Sequence, residues 1–272
     1  MGVKSSVTFN NWLKFLTWGY RWRIRVYTIL TVSAFGILYL FTGILALIGM
    51  PLVFLRLKGA VRLIMRFWAK SVLLIIGKKL HIEGLEKIKK NGKYILVANH
   101  SSLFDIIAII SFFPGVSWFG HARLLKIPVF SQILKMTDYV PMKVANIKNT
   151  KEMIDRLIEK SKGHTIAIFP EGTRTLDGKV SEFYRGFIHV LRASEINVLP
   201  VTLNGFFVLK PKNRFYINFN SRISVIIHEP LLREALIDKG DAEIISIIKY
   251  IIESSLESYQ LPENSGYSVQ MQ

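Results

Sequence analysis

Cysteine is absent from the 272 residues. That removes disulfides, zinc–thiolate centres, redox thiols and any cysteine-based acyl-enzyme, and it fits a reducing compartment. Acidic side chains are scarce: 19 Asp and Glu face 36 Lys and Arg, for a formal charge of +17. A chain so charged seeks anionic company, whether phosphate groups, nucleic acid or an acidic bilayer surface. The six histidines, at 81, 100, 121, 164, 189 and 228, are never closer than 19 residues, so no HExxH-type zinc site exists and no metal is expected. There is no GxSxG elbow and no GxGxxG fingerprint. Gly172-x5-Gly178-Lys179-Val180 has the wrong spacing for a phosphate loop, and no Ser or Thr follows its lysine. What is plentiful is apolar. Half the residues are hydrophobic and 12% are aromatic, enough burial to offset the entropy of ordering, which excludes disorder. The length suits one domain with an appendage.

Thirty residues, from Val26 through Leu55, carry no charged side chain. As a straight helix they would measure about 45 Å against a hydrocarbon core of roughly 30 Å. We read the run as a hairpin broken near Gly36 or Gly43 and closed by Gly49-Met50-Pro51, with a single tilted helix as the alternative. Lys4, Lys14, Arg21, Arg23 and Arg25 precede it, while Arg56, Lys58, Arg62, Arg66 and Lys70 follow. Flanks that balanced give no orientation by the positive-inside rule, or place both ends in the cytoplasm. A signal peptide is a poor reading, because the apolar stretch is twice a normal h-region. Over 59–79, Arg62, Arg66 and Lys70 recur every four residues as a basic stripe, with Leu63, Ile64, Phe67, Trp68, Val72 and Leu73 covering the rest. This predicts an interfacial helix with Trp68 at the headgroup boundary, against the simpler reading of a surface helix on a core.

From Leu80 onward short β-rich runs alternate with helical stretches, which is α/β punctuation. Strands are expected at 94–98, 116–119, 139–140, 165–169, 198–202, 215–219 and 223–227. Several are apolar throughout, as strands covered on both faces should be. Helices are expected near 102–112, 129–136, 147–162, 182–193 and 241–259. The division predicted is 1–79 for membrane-embedded or interfacial helices, 80–260 for a catalytic domain and 261–272 for a flexible polar tail.

Two clusters carry chemistry. The strand at 94–98 runs into Asn99-His100-Ser101-Ser102-Leu103-Phe104-Asp105 and then an apolar helix, so His100 falls at the carboxyl end of a strand, where open α/β sheets hold ligands. Asp105, in the first helical turn, could reach back to hold one imidazole tautomer. It could equally complete a capping box with Ser102. The second cluster, Phe169-Pro170-Glu171-Gly172-Thr173-Arg174, puts a carboxylate, a glycine, a hydroxyl and a guanidinium at another strand exit. Arg174 offers a planar fork suited to phosphate and Thr173 a hydroxyl donor; a solvated Glu171–Arg174 pair is the bland alternative.

In this order and about 70 residues apart, the clusters resemble the NHxxxxD and FPEGTR signatures of the glycerophospholipid acyltransferase family, whose members include bacterial and eukaryotic 1-acylglycerol-3-phosphate acyltransferases. Val198-Leu199-Pro200-Val201 is similar to that family's fourth motif, Leu125-Lys126-Ile127-Pro128 to its second, and Val140-Pro141-Met142-Lys143 to a stretch ending in a basic residue. The resemblance spans roughly 80–230. It departs at His121-Ala122-Arg123, where many members carry a lysine, and at Tyr184, where a lysine commonly precedes the basic-Gly pair.

The resemblance implies a mixed, largely parallel sheet flanked by helices, with an N-terminal membrane-associated segment. It implies an O-acyltransferase that moves a fatty acyl group from acyl-CoA or acyl carrier protein, a co-substrate rather than a cofactor, to 1-acyl-sn-glycerol-3-phosphate to make phosphatidic acid. His100 would be the general base and Asp105 its orienter. Arg174, with Lys143 a weaker candidate, would clamp the acceptor's phosphate with Gly172 and Thr173 beside it. Glu171 would brace that clamp or bind the acceptor, Pro200 would shape the acyl pocket, and backbone N–H groups near the helix start would stabilise the oxyanion. Partners would be a lysophospholipid acceptor, the acyl donor and membrane lipid, at the cytoplasmic face of a bacterial inner membrane, with no nucleic acid. Another lysolipid acceptor such as a lyso-ornithine lipid, a lipid ester or thioester hydrolase, and a non-enzymatic acidic-lipid-binding protein are the alternatives.

Overall fold

The computed structural model describes residues 4–127, 131, 134, 139–142 and 147–257. Helix α1 (Lys4–Phe54) runs unbroken through Gly36, Gly43 and Pro51, so the expected hairpin inside the apolar run does not occur. A glycine within a helix costs only about 1 kcal/mol, and a helix satisfies all its backbone groups within the segment, as an apolar surround demands. The reversal comes at Arg56, the only described non-glycine residue with positive φ (55°). There Leu57 N–H donates to Leu52 C=O and Arg56 N–H to Val53 C=O, a Schellman ending with arginine where glycine is usual. Helix α2 (Lys58–Ile75) then folds back along α1 and ends on a second such motif at Gly77 (φ 68°), with Lys78 N–H on Leu73 C=O and Gly77 N–H on Leu74 C=O.

Trp68 does not sit at a headgroup boundary. It is buried, and its Nε1–H donates to Thr42 Oγ1 of α1 at 3.0 Å. Val61, Met65, Ala69, Val72 and Leu73 share that inner face of α2, whereas Leu63, Phe67 and Leu74 face outward beside the exposed Arg62, Arg66 and Lys70. The stretch Arg21–Phe54 is the one described helix long and apolar enough to cross a membrane, and Ile29, Ile37, Leu40 and Leu47 lie exposed along it. The chain is thus membrane-associated through its N-terminal helix.

Seven strands form one sheet in the order β1-β7-β6-β2-β5-β3-β4: β1 (Leu80–Glu83), β2 (Tyr94–Ala98), β3 (Ser117–His121), β4 (Val140–Met142), β5 (Ile166–Ile168), β6 (Asn197–Asn204) and β7 (Ile223–Ile227). Every pairing is parallel except β6 with β7. Along β2 the side chains alternate between two cores, as a period of two requires. Tyr94, Leu96 and Ala98 pack with α2 and with α3 (Phe104–Phe112); Ile95 and Val97 pack with α4 (Ile147–Ser161), α5 (Gly186–Ala193) and α7 (Asp241–Ser254). Both faces are covered, so β2 and β6 read as apolar runs. A single turn, α6 (Phe206–Leu209), follows β6.

The run 215–219 is not a strand. Its backbone is tied to elements outside the sheet: Asn218 N–H donates to Leu209 C=O, and Ile217 N–H to Thr31 Oγ1 of α1 at 2.8 Å. Tyr27 packs against the rings of Tyr216 and Phe219. Strand β1 went unforeseen because its alternation is only half buried. Residues 182–184, expected helical, are irregular, and Arg185 makes the turn into α5. The expected helix at 129–136 falls mostly, and Lys143 and the 261–272 tail wholly, outside the described residues.

Thr31 and Ile217 are both fully buried, so Thr31→Val should strand an N–H group and cost about 1–3 kcal/mol. The check is a lowered urea midpoint or melting temperature of the detergent-solubilised protein; an unchanged midpoint would contradict it.

Candidate active site

Strands β2 and β5 are parallel neighbours, Val97 opposite Ile168, so the segments leaving their carboxyl ends must emerge side by side. This brings the two clusters together. Thr175 N–H donates to His100 C=O at 2.9 Å. Glu171, 2% exposed, takes His100 N–H on Oε1 at 2.6 Å and Ser181 N–H on Oε2 at 2.9 Å. Glu171 therefore braces the backbone of the histidine loop. Its two oxygens are engaged by main chain, which leaves the bland Glu171–Arg174 surface pair without support.

His100 Nδ1 lies 2.8 Å from Asp105 Oδ2, and Asp105 is fully buried. The same oxygen accepts Ser101 N–H at 2.7 Å and Ser102 N–H at 2.8 Å. Three donors converging on one carboxylate oxygen hold it as the acceptor, so His100 carries its proton on Nδ1 and presents a bare Nε2. The bond to Ser102 N–H is also the return half of a capping box. Capping and orientation are thus served by one side chain rather than being alternatives. Ser102 Oγ accepts Phe104 N–H at 3.4 Å and donates to Lys210 C=O at 2.7 Å. Because Ser101 and Ser102 both direct their N–H groups at Asp105, neither is free for an oxyanion.

The imidazole stacks on Phe169, centroids 4.0 Å apart and planes 13° apart, and Trp118 lies behind Phe169 at 5.7 Å. Asn99 is locked to β6, its Nδ2 donating to Leu203 C=O and its Oδ1 accepting Leu203 N–H. These contacts fix the ring from beneath and behind.

Gly172 has φ 66°, and a Cβ there would come within 3.1 Å of the Tyr184 ring. The positive φ favours glycine there, and any side chain would also have to displace the exposed Tyr184 ring slightly. Thr173 is exposed and Arg174 partly so, on the same turn. Thr173 Oγ1 accepts Lys212 Nζ at 3.2 Å. Pro200 is inside β6, opposite Val97. It accepts His228 N–H and has none to return, which is where the β6–β7 ladder stops. Phe169, Asn99, Lys210 and Lys212 were not singled out from sequence. Phe169 and Asn99 lie inside the two clusters but were given no role of their own there; the lysines arrive from more than 30 residues away and left no local signal.

A parallel-rich sheet with an Asp-oriented histidine and an EGTR turn at its carboxyl edge describes an acyltransferase fold. The family described as Acyltransferase matches residues 79–204. The chain is 32% identical over 207 residues to the 1-acyl-sn-glycerol-3-phosphate acyltransferase of Borreliella burgdorferi, covering 73% of this chain and 80% of that protein. It is 30% identical over 202 residues to the chloroplastic 1-acyl-sn-glycerol-3-phosphate acyltransferase of Arabidopsis thaliana, covering 72% of this chain but 56% of that longer protein. The crystal structure of the 1-acyl-sn-glycerophosphate acyltransferase PlsC from Thermotoga maritima superposes with a TM-score of 0.73 at 25% identity, over 86% of this chain and 95% of that one. This chain belongs to the glycerophospholipid acyltransferase family and resembles its 1-acyl-sn-glycerol-3-phosphate acyltransferases.

Burial pushes the Glu171 carboxyl above the usual carboxylate range, opposed by the Ser181 and His100 donors. An acid raised on folding favours the fold below its unfolded value and loses that contribution as pH rises through the folded value. Wild type should therefore lose stability relative to Glu171→Gln as pH climbs from about 4.5 through that raised value. Urea midpoints of both proteins across this window test it, and parallel pH curves would contradict it.

Proposed function

We propose that this protein transfers a fatty acyl group from a thioester, acyl-CoA or acyl carrier protein, to the free hydroxyl of 1-acyl-sn-glycerol-3-phosphate, giving phosphatidic acid at the cytoplasmic face of a membrane. The observation that carries the reading is the His100 imidazole, held by Asp105 with Nε2 bare, on a loop bonded through Glu171 and Thr175 to the turn that bears Arg174.

In this mechanism His100 Nε2 takes the acceptor hydroxyl's proton as that oxygen attacks the thioester carbonyl. The tetrahedral adduct collapses, the C–S bond breaks, and the proton passes from Nε2 to the leaving sulfur. Asp105 keeps the tautomer and stabilises the imidazolium that forms between the two transfers. No covalent enzyme intermediate is needed, which agrees with a chain lacking cysteine. Arg174 holds the acceptor's phosphate, with Lys143 a second candidate, while Gly172 lets the backbone turn closely enough for the phosphate to approach. Pro200 contributes to the wall of the acyl pocket from within β6. The 1–79 segment delivers the lysolipid: its exposed apolar helix enters the bilayer, and its basic stripe concentrates anionic lipid at roughly 1 kcal/mol per well-placed Lys or Arg.

His100→Ala should lower kcat by about 10² to 10⁴ while leaving sedimentation with vesicles unchanged; retained turnover would remove the histidine from its role. Arg174→Ala should raise KM for the phosphate-bearing acceptor by roughly 10- to 100-fold, the worth of a charge-assisted pair. Unaltered KM and kcat would rule out the clamp.

A further inference from the structure

The segment between β6 and β7 carries Lys210, Lys212 and Arg214 within five residues, and it is bolted in place. Arg214 donates to Val208 C=O, Leu209 C=O and Tyr216 C=O, and its guanidinium lies over the Tyr216 ring. Lys78 Nζ donates to Phe219 C=O and Ser221 C=O from the end of α2, and Thr31 of α1 takes Ile217 N–H. Held in this way, the segment touches both clusters of the site. Lys210 C=O receives Ser102 Oγ beside the histidine loop, and Lys212 Nζ reaches Thr173 Oγ1, the residue before Arg174.

The charges gathered there are all of one sign. Among the described residues no carboxylate forms an ion pair with Arg174, Lys210 or Lys212. The nearby acids are otherwise engaged: Glu171 by two backbone N–H groups, Asp177 by Thr175 and the Lys179 N–H. Lys210 is 8% exposed, and burial, then repulsion from Arg174 and Arg214, pulls its ammonium below the usual lysine range. Like charges pressed together at a partly desolvated site are relieved by an anion.

We propose that Lys212, with Lys210 behind it, is a second arm of the acceptor-phosphate site, closing against Thr173 and Arg174 so that the site selects a phosphate monoester over a phosphodiester. The inference rests on the acyl-transfer reading above. A monoester carries a charge of about −1.5 to −2 at neutral pH and three terminal oxygens. A diester headgroup carries one charge and two such oxygens. An arginine fork occupies two oxygens, so the third oxygen and the second charge are what a lysine on the opposite side gains. Lys212 is a positioning and specificity residue in this scheme; proton transfer stays with His100.

The test uses the purified full chain in mixed micelles with a fixed acyl-CoA, offering 1-acylglycerol-3-phosphate and lysophosphatidylglycerol in turn. Lys212→Gln should raise KM for the monoester about tenfold, the effect of one exposed charge-assisted contact. It should leave kcat and the KM for acyl-CoA within about twofold and narrow the preference over the diester; Lys212→Arg should recover most of the loss. Lys212 is exposed, so both variants should fold, with melting temperature as the control. Unchanged monoester KM, an equal rise for both acceptors, or no recovery with arginine would overturn the second arm while leaving acyl transfer standing. A wild type inert toward every lysolipid, with its melting temperature intact, would instead sink the acyl-transfer reading and this inference with it.

Discussion

Two parallel strands that end side by side leave their outgoing segments with N–H groups no ladder can satisfy, and the Glu171 carboxylate is what receives them. By taking His100 N–H on one oxygen and Ser181 N–H on the other, it binds the loop after β2 to the segment after β5 across a buried gap. Burial disfavours its charge, and unpaired main-chain donors in the same space would cost about 1–3 kcal/mol each, so the carboxylate and the two loops stabilise one another. Asp105 repeats the device one residue on, gathering His100 Nδ1, Ser101 N–H and Ser102 N–H on a single oxygen. The imidazole then has one tautomer, one orientation against Phe169 and one free nitrogen.

The membrane helix and this site share structure. Thr31 and Tyr27 of α1 hold the 215–219 segment, and just upstream of it Lys212 reaches Thr173, the residue before Arg174. Lys78, just past the end of α2, donates to Phe219 C=O and Ser221 C=O, and α2 packs against α3, the helix that carries Asp105. The segment that reaches the turn bearing Arg174 is thus anchored by the membrane-length helix itself.

Much of this was legible in the sequence. Strand β2 was visible as an apolar run leading into a histidine, and the pairing of that histidine with Asp105, five residues on, was one of two readings the spacing allowed, the other being a capping box. Gly36 and Gly43 suggested a break that helix continuity overrode, because an apolar surround penalises exposed backbone more than glycine weakens a helix. Trp68 resembled a headgroup anchor, yet Thr42, 26 residues away in sequence, offered its N–H a partner in the interior. The run 215–219 has β-type residues but finds its hydrogen-bond partners in α1 and at Leu209, so it never joins the sheet. In the last two cases a distant partner outbid a local propensity.

Composition and local pattern by themselves determined the class of the protein: alternating β and α elements, a thirty-residue uncharged apolar run, an excess of positive charge, and two loops whose residue types suit proton transfer and phosphate binding. Those properties depend on neighbours within a few residues, where chain geometry is fixed by covalent spacing. Only the tertiary structure decided that β5 lies beside β2, that Glu171 receives main-chain N–H groups from both outgoing segments, and that Lys212 reaches Thr173 on the turn that bears Arg174. Such meetings depend on strand order and on which buried polar groups find partners, and neither is written in the spacing of any one segment.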